Sequence, residues 1–270
     1  MRTRSLPSTS RPAAVAGLFY PAEPQALRSA VATLLADAQV PGPAPKALIL
    51  PHAGYIYSGA IAASGYAALG ATALTLRRIV LLGPSHRLWL QGLAVPAARA
   101  FATPLGELRV DAEAIELLRA LPAVTVSDDA HALEHSLEVH LPFLQLLAPD
   151  ARIVPLVAGD AAPAEVAAVI DALWDGPQTL IVVSSDLSHY QSYESARATD
   201  GATARAIIAG REDLRGDEAC GAVLINGLAH AVRRRGLRVQ VLDLRNSGDT
   251  AGDRRRVVGY GAFGYYDARA

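Results

Sequence analysis

Three apolar runs in this chain each end in a histidine, and the residues at those ends can do chemistry. They are Ala47-Leu-Ile-Leu-Pro-His52, Arg78-Ile-Val-Leu-Leu-Gly-Pro-Ser-His86 and Thr179-Leu-Ile-Val-Val-Ser-Ser-Asp186-Leu-Ser-His189. Imidazole binds transition metals and moves protons near neutral pH. A carboxylate such as Asp186 can orient a neighbouring imidazole, and His189 could then act as a general base. Asp186 can equally cap a following helix. Each run is short, β-branched or leucine-rich, and bounded by turn residues, which reads as a buried parallel strand. Open parallel sheets gather their ligand sites at the carboxyl ends of strands. The pattern therefore predicts that His52, His86, Asp186 and His189 meet at one sheet edge, as a metal site or an acid–base constellation.

A second histidine-rich stretch competes with the first. His131-Ala-Leu-Glu134-His135 matches H-x-x-E-H, an inverted zinc-peptidase motif. On one helix face His131 and His135 could bind zinc for hydrolysis, although no downstream glutamate stands out as a third ligand. In the alternative reading His135 lines the strand-end pocket and Glu138 or His140 braces it, with Tyr55 and Tyr190 as walls. The lone cysteine, Cys220, is placed near a predicted helix start, where the helix dipole lowers a thiol pKa. Its alternative is a small buried hydrophobe.

Other signatures are absent or out of context. Gly259-Tyr-Gly-Ala-Phe-Gly264 matches G-x-G-x-x-G. That fingerprint must open a helix and have an acidic partner about 20 residues on. Here only six residues follow, in a strand-like run. There is no G-x-S-x-G elbow, so a serine-hydrolase mechanism lacks its usual signature, and no Walker loop; no organic cofactor is expected.

The elements that must position these groups follow from the remaining pattern. At 270 residues, half of them hydrophobic, the chain can bury a large core. Strands alternate with helices from end to end, which predicts one α/β domain over 11–270 after a loose tail at 1–10. The central sheet is expected to be mostly parallel and flanked by helices. Helices are predicted from Pro24, from Ala60, from Asp111 as cap, from Pro163, from Tyr193 and from Cys220. A hairpin is predicted over Phe101–Asp111, and the last two strands over Leu237–Leu244 and Val257–Tyr266.

The net charge of −1 and the absence of a long basic run argue against nucleic acid as a partner. No stretch approaches the roughly 20 apolar residues that span a bilayer. Together with one unpaired cysteine, this leads to an expectation of a cytoplasmic protein. Arginine almost wholly replaces lysine, with Lys46 the one exception. That bias suggests a GC-rich, bacterial source.

Eight separate segments, in order, resemble the Memo family, whose prokaryotic members are labelled AmmeMemoRadiSam system protein B. They are Val15-Ala-Gly-Leu-Phe-Tyr-Pro21, Pro51-His-Ala-Gly-Tyr55 with Ser58-Gly59, Gly83-Pro-Ser-His86 and Thr103-Pro-Leu-Gly106. Glu134-His-Ser-Leu-Glu-Val-His-Leu-Pro142, Ser184-Ser-Asp-Leu-Ser-His-Tyr190, Ala219-Cys-Gly221 and Val258-Gly-Tyr260 complete the set. The resemblance implies a class III extradiol dioxygenase-like fold. It also implies a non-haem metal pocket of His52, His86 and Cys220, with Asp186 and His189 beside it. Iron is the first expected metal and copper the second. In the dioxygenases the third ligand is a glutamate, whereas here that role falls to Cys220. Two functions follow as expectations. One is a metal-dependent redox or dioxygenase-like enzyme acting on a small aromatic or phenolic molecule. The other is a non-catalytic binding module whose partners are the AMMECR1-type and radical SAM proteins of the same system.

Overall fold

The strand-end histidines need three strands side by side, and the sheet supplies them. The computed structural model describes residues 9–38 and 40–267. Along the chain come β1 (Ser10–Arg11), α1 (Pro24–Asp37), β2 (Ala47–Leu50), α2 (Ala60–Ala67), β3 (Arg78–Pro84), β4 (Leu93–Val95), β5 (Ala100–Thr103) and β6 (Gly106–Arg109). Then follow α3 (Ala112–Leu118), β7 (Val124–Val126), α4 (Asp128–Ala132), α5 (Leu141–Leu147), β8 (Arg152–Ala158), α6 (Pro163–Leu173) and β9 (Thr179–Ser184). The chain closes with β10 (His189–Gln191), α7 (Tyr193–Ile208), α8 (Ala222–Val232), β11 (Leu237–Asn246), α9 (Ser247–Thr250) and β12 (Val257–Asp267).

Among the described residues, nine strands form one sheet in the order β10-β12-β2-β9-β3-β8-β4-β7, with β11 on β12. The inner four, β2, β9, β3 and β8, run parallel. All of β2 and β9 is buried, which is why their sequences are continuous apolar runs rather than alternating ones. The flanks are antiparallel: β12 against β2, β11 against β12, and β4 against β8. Leu50 lies opposite Ser184, and Leu82 opposite Val183, so the carboxyl ends of β2, β9 and β3 are level.

Helices cover this sheet in groups. α1 packs on α2 and α5, and α2 lies against β2, β11 and β12. α6 packs on α8, which lies against β3 and β9. α1 begins as its sequence suggests. Pro24 occupies the first turn, and the Glu23 carboxylate accepts from the Gln25 and Ala26 amides at 3.0 and 2.6 Å.

Several boundaries differ from expectation. The predicted tail at 1–10 covers residues 1–8, which lie outside the described residues. Ser10 and Arg11, however, form β1, paired with Ala100 and Phe101 of β5. β5 and β6 make the predicted hairpin. The helix predicted from Cys220 starts only at Ala222. His189 itself belongs to a short strand, β10, opposite Val258 of β12.

Candidate metal centre

His52 and His86 each stand two residues beyond their strand, and Cys220 lies in the loop before α8. One ligand atom from each of the three falls within 4.8 Å of the others. The Cys220 sulfur is 3.3 Å from His52 Nε2. His135 completes a histidine cluster, its ring centre 5.5 Å from that of His52 and 4.7 Å from that of His86. Two glycines make the convergence possible. A Cβ on Gly83 would meet Ser136 Oγ at 2.6 Å, so only glycine lets the end of β3 touch the turn carrying His135. A Cβ on Gly221 would meet the Ser184 carbonyl at 2.8 Å, so glycine lets the Cys220 loop close on β9.

Hydrogen bonds behind the rings hold them in place. Glu134 accepts from the His86 amide at 2.6 Å with one oxygen. The other accepts from the amides of His135 and Ser136 at 3.0 and 2.9 Å and lies 3.0 Å from His86 Nδ1. Burial alone would raise this carboxyl. The His86 ring and these amides outweigh it and hold its pKa at about 2. An ionised carboxylate only accepts, so His86 Nδ1 carries a proton, and in the neutral ring the lone pair is on Nε2. Asp186 accepts from the His52 amide at 2.8 Å, so it fixes backbone rather than turning a ring. Burial pushes its pKa up to about 7.

Desolvation disfavours charge on the His52 and His135 rings. It lowers His52 well below its ordinary value, with repulsion from the neighbouring histidines adding to it, and takes His135 to about 4. Cys220 departs from the expected low thiol pKa. It precedes α8 instead of opening it, and burial together with Asp186 pushes it up to about 12.

The centre opens into a cavity of about 650 Å³ whose lining includes His52, His86, His135, Asp186, His189 and Tyr190. Tyr190 stands at its mouth, 65 % exposed, with φ of 59°, a left-handed conformation uncommon outside glycine. A larger cavity of about 880 Å³ lies beside β5, β6 and α3 and contains none of the histidines.

Tyr55, expected as a wall, does not line the cavity, and Glu138 and His140, expected to brace it, are buried behind it. The Glu138 carboxylate is fully buried and binds Arg11, the Ala14 and Val15 amides and the Tyr20 hydroxyl. The Tyr55 hydroxyl donates to the Val139 carbonyl at 2.8 Å. His140 is buried behind His52, between Tyr66 and Ser184. The zinc-peptidase geometry is absent as well. α4 ends at Ala132, so His131 and His135 do not share a helix face. His131 Nε2 lies against the Ala94 carbonyl at 3.1 Å, its ring edge-on to Phe101. Sequence reasoning gave Glu134 no role of its own and passed over Ser184. The one available signal for each was its place inside a histidine-bearing segment.

Two imidazoles with available lone pairs and a thiol suit iron, copper or zinc, so the donor set fits a transition metal. The class is therefore an α/β protein with a candidate His/His/Cys metal pocket at the carboxyl ends of its central strands. Residues 11–263 match the family described as Memo-like protein. A MEMO1 family protein of Aeropyrum pernix is 36% identical, over 92% of this chain and 96% of its own length. One of Aquifex aeolicus is 35% identical, over 93% and 97%. The chain belongs to the Memo family. Among solved structures, an uncharacterized protein of Escherichia coli K12 aligns at 15% identity and a TM-score of 0.48, over 80% of this chain and 98% of that one. That likeness is too slight to carry an argument. No helix among the described residues is long and apolar enough to cross a membrane.

Proposed function

We propose that this protein is a metal-dependent oxidoreductase, with iron as its first metal and copper its second, acting on a small aromatic or phenolic molecule. The observation that carries the proposal is the meeting of His52, His86 and Cys220 ligand atoms within 4.8 Å, from three distant segments, with His52 and His86 lining an open cavity. These three residues would hold the metal. The metal would supply Lewis acidity and redox chemistry and would stabilise the Cys220 thiolate that burial disfavours. His135 and His189, both neutral and facing the cavity, would accept a proton from an acidic hydroxyl of the substrate. Phe19, Tyr57, Tyr190 and Tyr260 supply aromatic walls for a planar ligand.

A second reading, a binding module for the AMMECR1-type and radical SAM proteins of its system, draws on a different observation. Leu18 at the cavity, and Leu88 and Trp89 just beyond Arg87, expose 80, 43 and 79 % of their surfaces. Elemental analysis of anaerobically purified protein tests the first reading. The expected result is one iron or copper per chain, lost in His52→Ala and Cys220→Ser and retained in His131→Gln. Stoichiometric metal that survives both ligand substitutions would overturn it.

A further inference from the structure

Ser184 sits at the end of β9, fully buried, between two imidazoles. Its Oγ lies 2.6 Å from His52 Nδ1, 2.9 Å from His140 Nε2 and 2.6 Å from the Ser136 carbonyl. A hydroxyl has one proton and two lone pairs. The carbonyl can only accept, so the hydroxyl proton goes to Ser136. Both lone pairs are then left for N–H donors. A neutral imidazole has one N–H, so His52 must carry it on Nδ1 and His140 on Nε2. His140 Nδ1 then accepts from the Tyr66 hydroxyl, 3.0 Å away. Every polar atom in this buried chain is satisfied by that single arrangement. Turning the Ser184 hydroxyl toward either ring would leave the Ser136 carbonyl without this donor, which is costly in the interior.

We infer that Ser184 is a positioning residue that fixes the tautomer of His52, with His140 locking the Ser184 hydroxyl in the required direction. The consequence is local and chemical. With its proton on Nδ1, His52 presents the Nε2 lone pair toward the Cys220 sulfur, where a metal would sit. The other tautomer would put an N–H there and block coordination. Ser184 does for His52 what Glu134 does for His86. The two rings are oriented by different chemistry, a hydroxyl whose proton is spoken for and an ionised carboxylate. The tautomer itself belongs to the metal-free protein, and only its use rests on the metal-pocket reading.

Long-range ¹H–¹⁵N correlation spectra of histidine-labelled, metal-free, full-length protein test this directly. The expected pattern is opposite tautomers, Nδ1–H for His52 and Nε2–H for His140, with His86 as Nδ1–H. In Ser184→Ala, His52 should become a tautomer mixture while His86 stays unchanged, which also reports that the fold is intact. Ser184→Thr, which keeps the hydroxyl, should restore the single form. Titration with Co²⁺ alone, read by ligand-field absorption, should show affinity falling about 10–100-fold in Ser184→Ala. An Nε2–H His52 in the unsubstituted protein, or a pure Nδ1–H His52 in Ser184→Ala, would overturn the inference. Absence of Co²⁺ binding beside the expected tautomer pattern would instead count against the metal reading alone.

Discussion

Glu138→Gln removes one charge of a buried ion pair and should destabilise the fold strongly. One Glu138 oxygen accepts from Arg11 and from the Ala14 amide at 2.8 Å. The other accepts from the Val15 amide at 2.9 Å and the Tyr20 hydroxyl at 2.5 Å. Glutamine has one acceptor oxygen and one NH₂ group. Whichever way its amide turns, the NH₂ faces two donors. Arg11 keeps its bonds to the His131 and Glu134 carbonyls, at 2.9 and 2.7 Å, but loses its counter-charge while 4 % exposed. Breaking a buried pair by removing one charge costs about 3–5 kcal/mol. At about 2 °C per kcal/mol for a chain of this size, melting should fall by about 6–10 °C. The assay is thermal unfolding of metal-free protein followed by circular dichroism. Glu116→Gln serves as control, because the Glu116–Arg119 pair is more than half exposed on both sides and contributes almost nothing. Melting of Glu138→Gln within about 2 °C of the unsubstituted protein would refute the assignment, since that is only about 1 kcal/mol. The anchor also ties β1 to the turn that carries Glu134 and His135. Metal affinity should therefore fall with stability although Glu138 never touches the cavity.

Acid should destabilise the metal-free fold through two buried histidines outside the ligand set. Burial lowers His131 from 6.5 to about 4 and His140 to about 3. Both folded values are depressed, so the stability they confer is complete above pH 6.5 and is lost as pH falls toward the folded values. Between pH 7 and pH 5 each should cost about 2 kcal/mol, and His131→Gln should flatten the stability–pH curve by that amount. Parallel curves from denaturant titrations would rule this out. Gly221→Ala should destabilise by about 1–3 kcal/mol by pushing the Cys220 loop off β9, and should lower metal content below that of the unsubstituted protein. Gly83→Ala should do the same through Ser136 and Leu137, and a crystal structure showing the loop undisturbed would contradict the prediction for that variant.

The sheet was largely legible in the chain because burial on two faces leaves a local mark. β2, β3 and β9 are continuous apolar runs wherever they are read, and their terminal histidines inherit a position from the parallel architecture. Helix starts at Pro24, Asp111 and Pro163 were equally readable, since proline and a capping carboxylate act within a turn of themselves. Cys220 was a different case. Nothing in its neighbours marked it as a ligand candidate, and only the resemblance to the Memo family placed it beside His52.

What the tertiary structure alone decided is which polar group faces which. His131, His135, Glu138 and His140 crowd ten residues of sequence, and their spacing supported several faces of one helix. In the fold the helix ends at Ala132, and the four side chains go separate ways. His131 turns to β4, His135 to the cavity, Glu138 to Arg11 across 127 residues, and His140 to Ser184 across 44. Each destination is set by a partner delivered from a remote segment. A buried polar group must find its complement wherever the chain happens to bring one, and sequence spacing carries no record of that meeting.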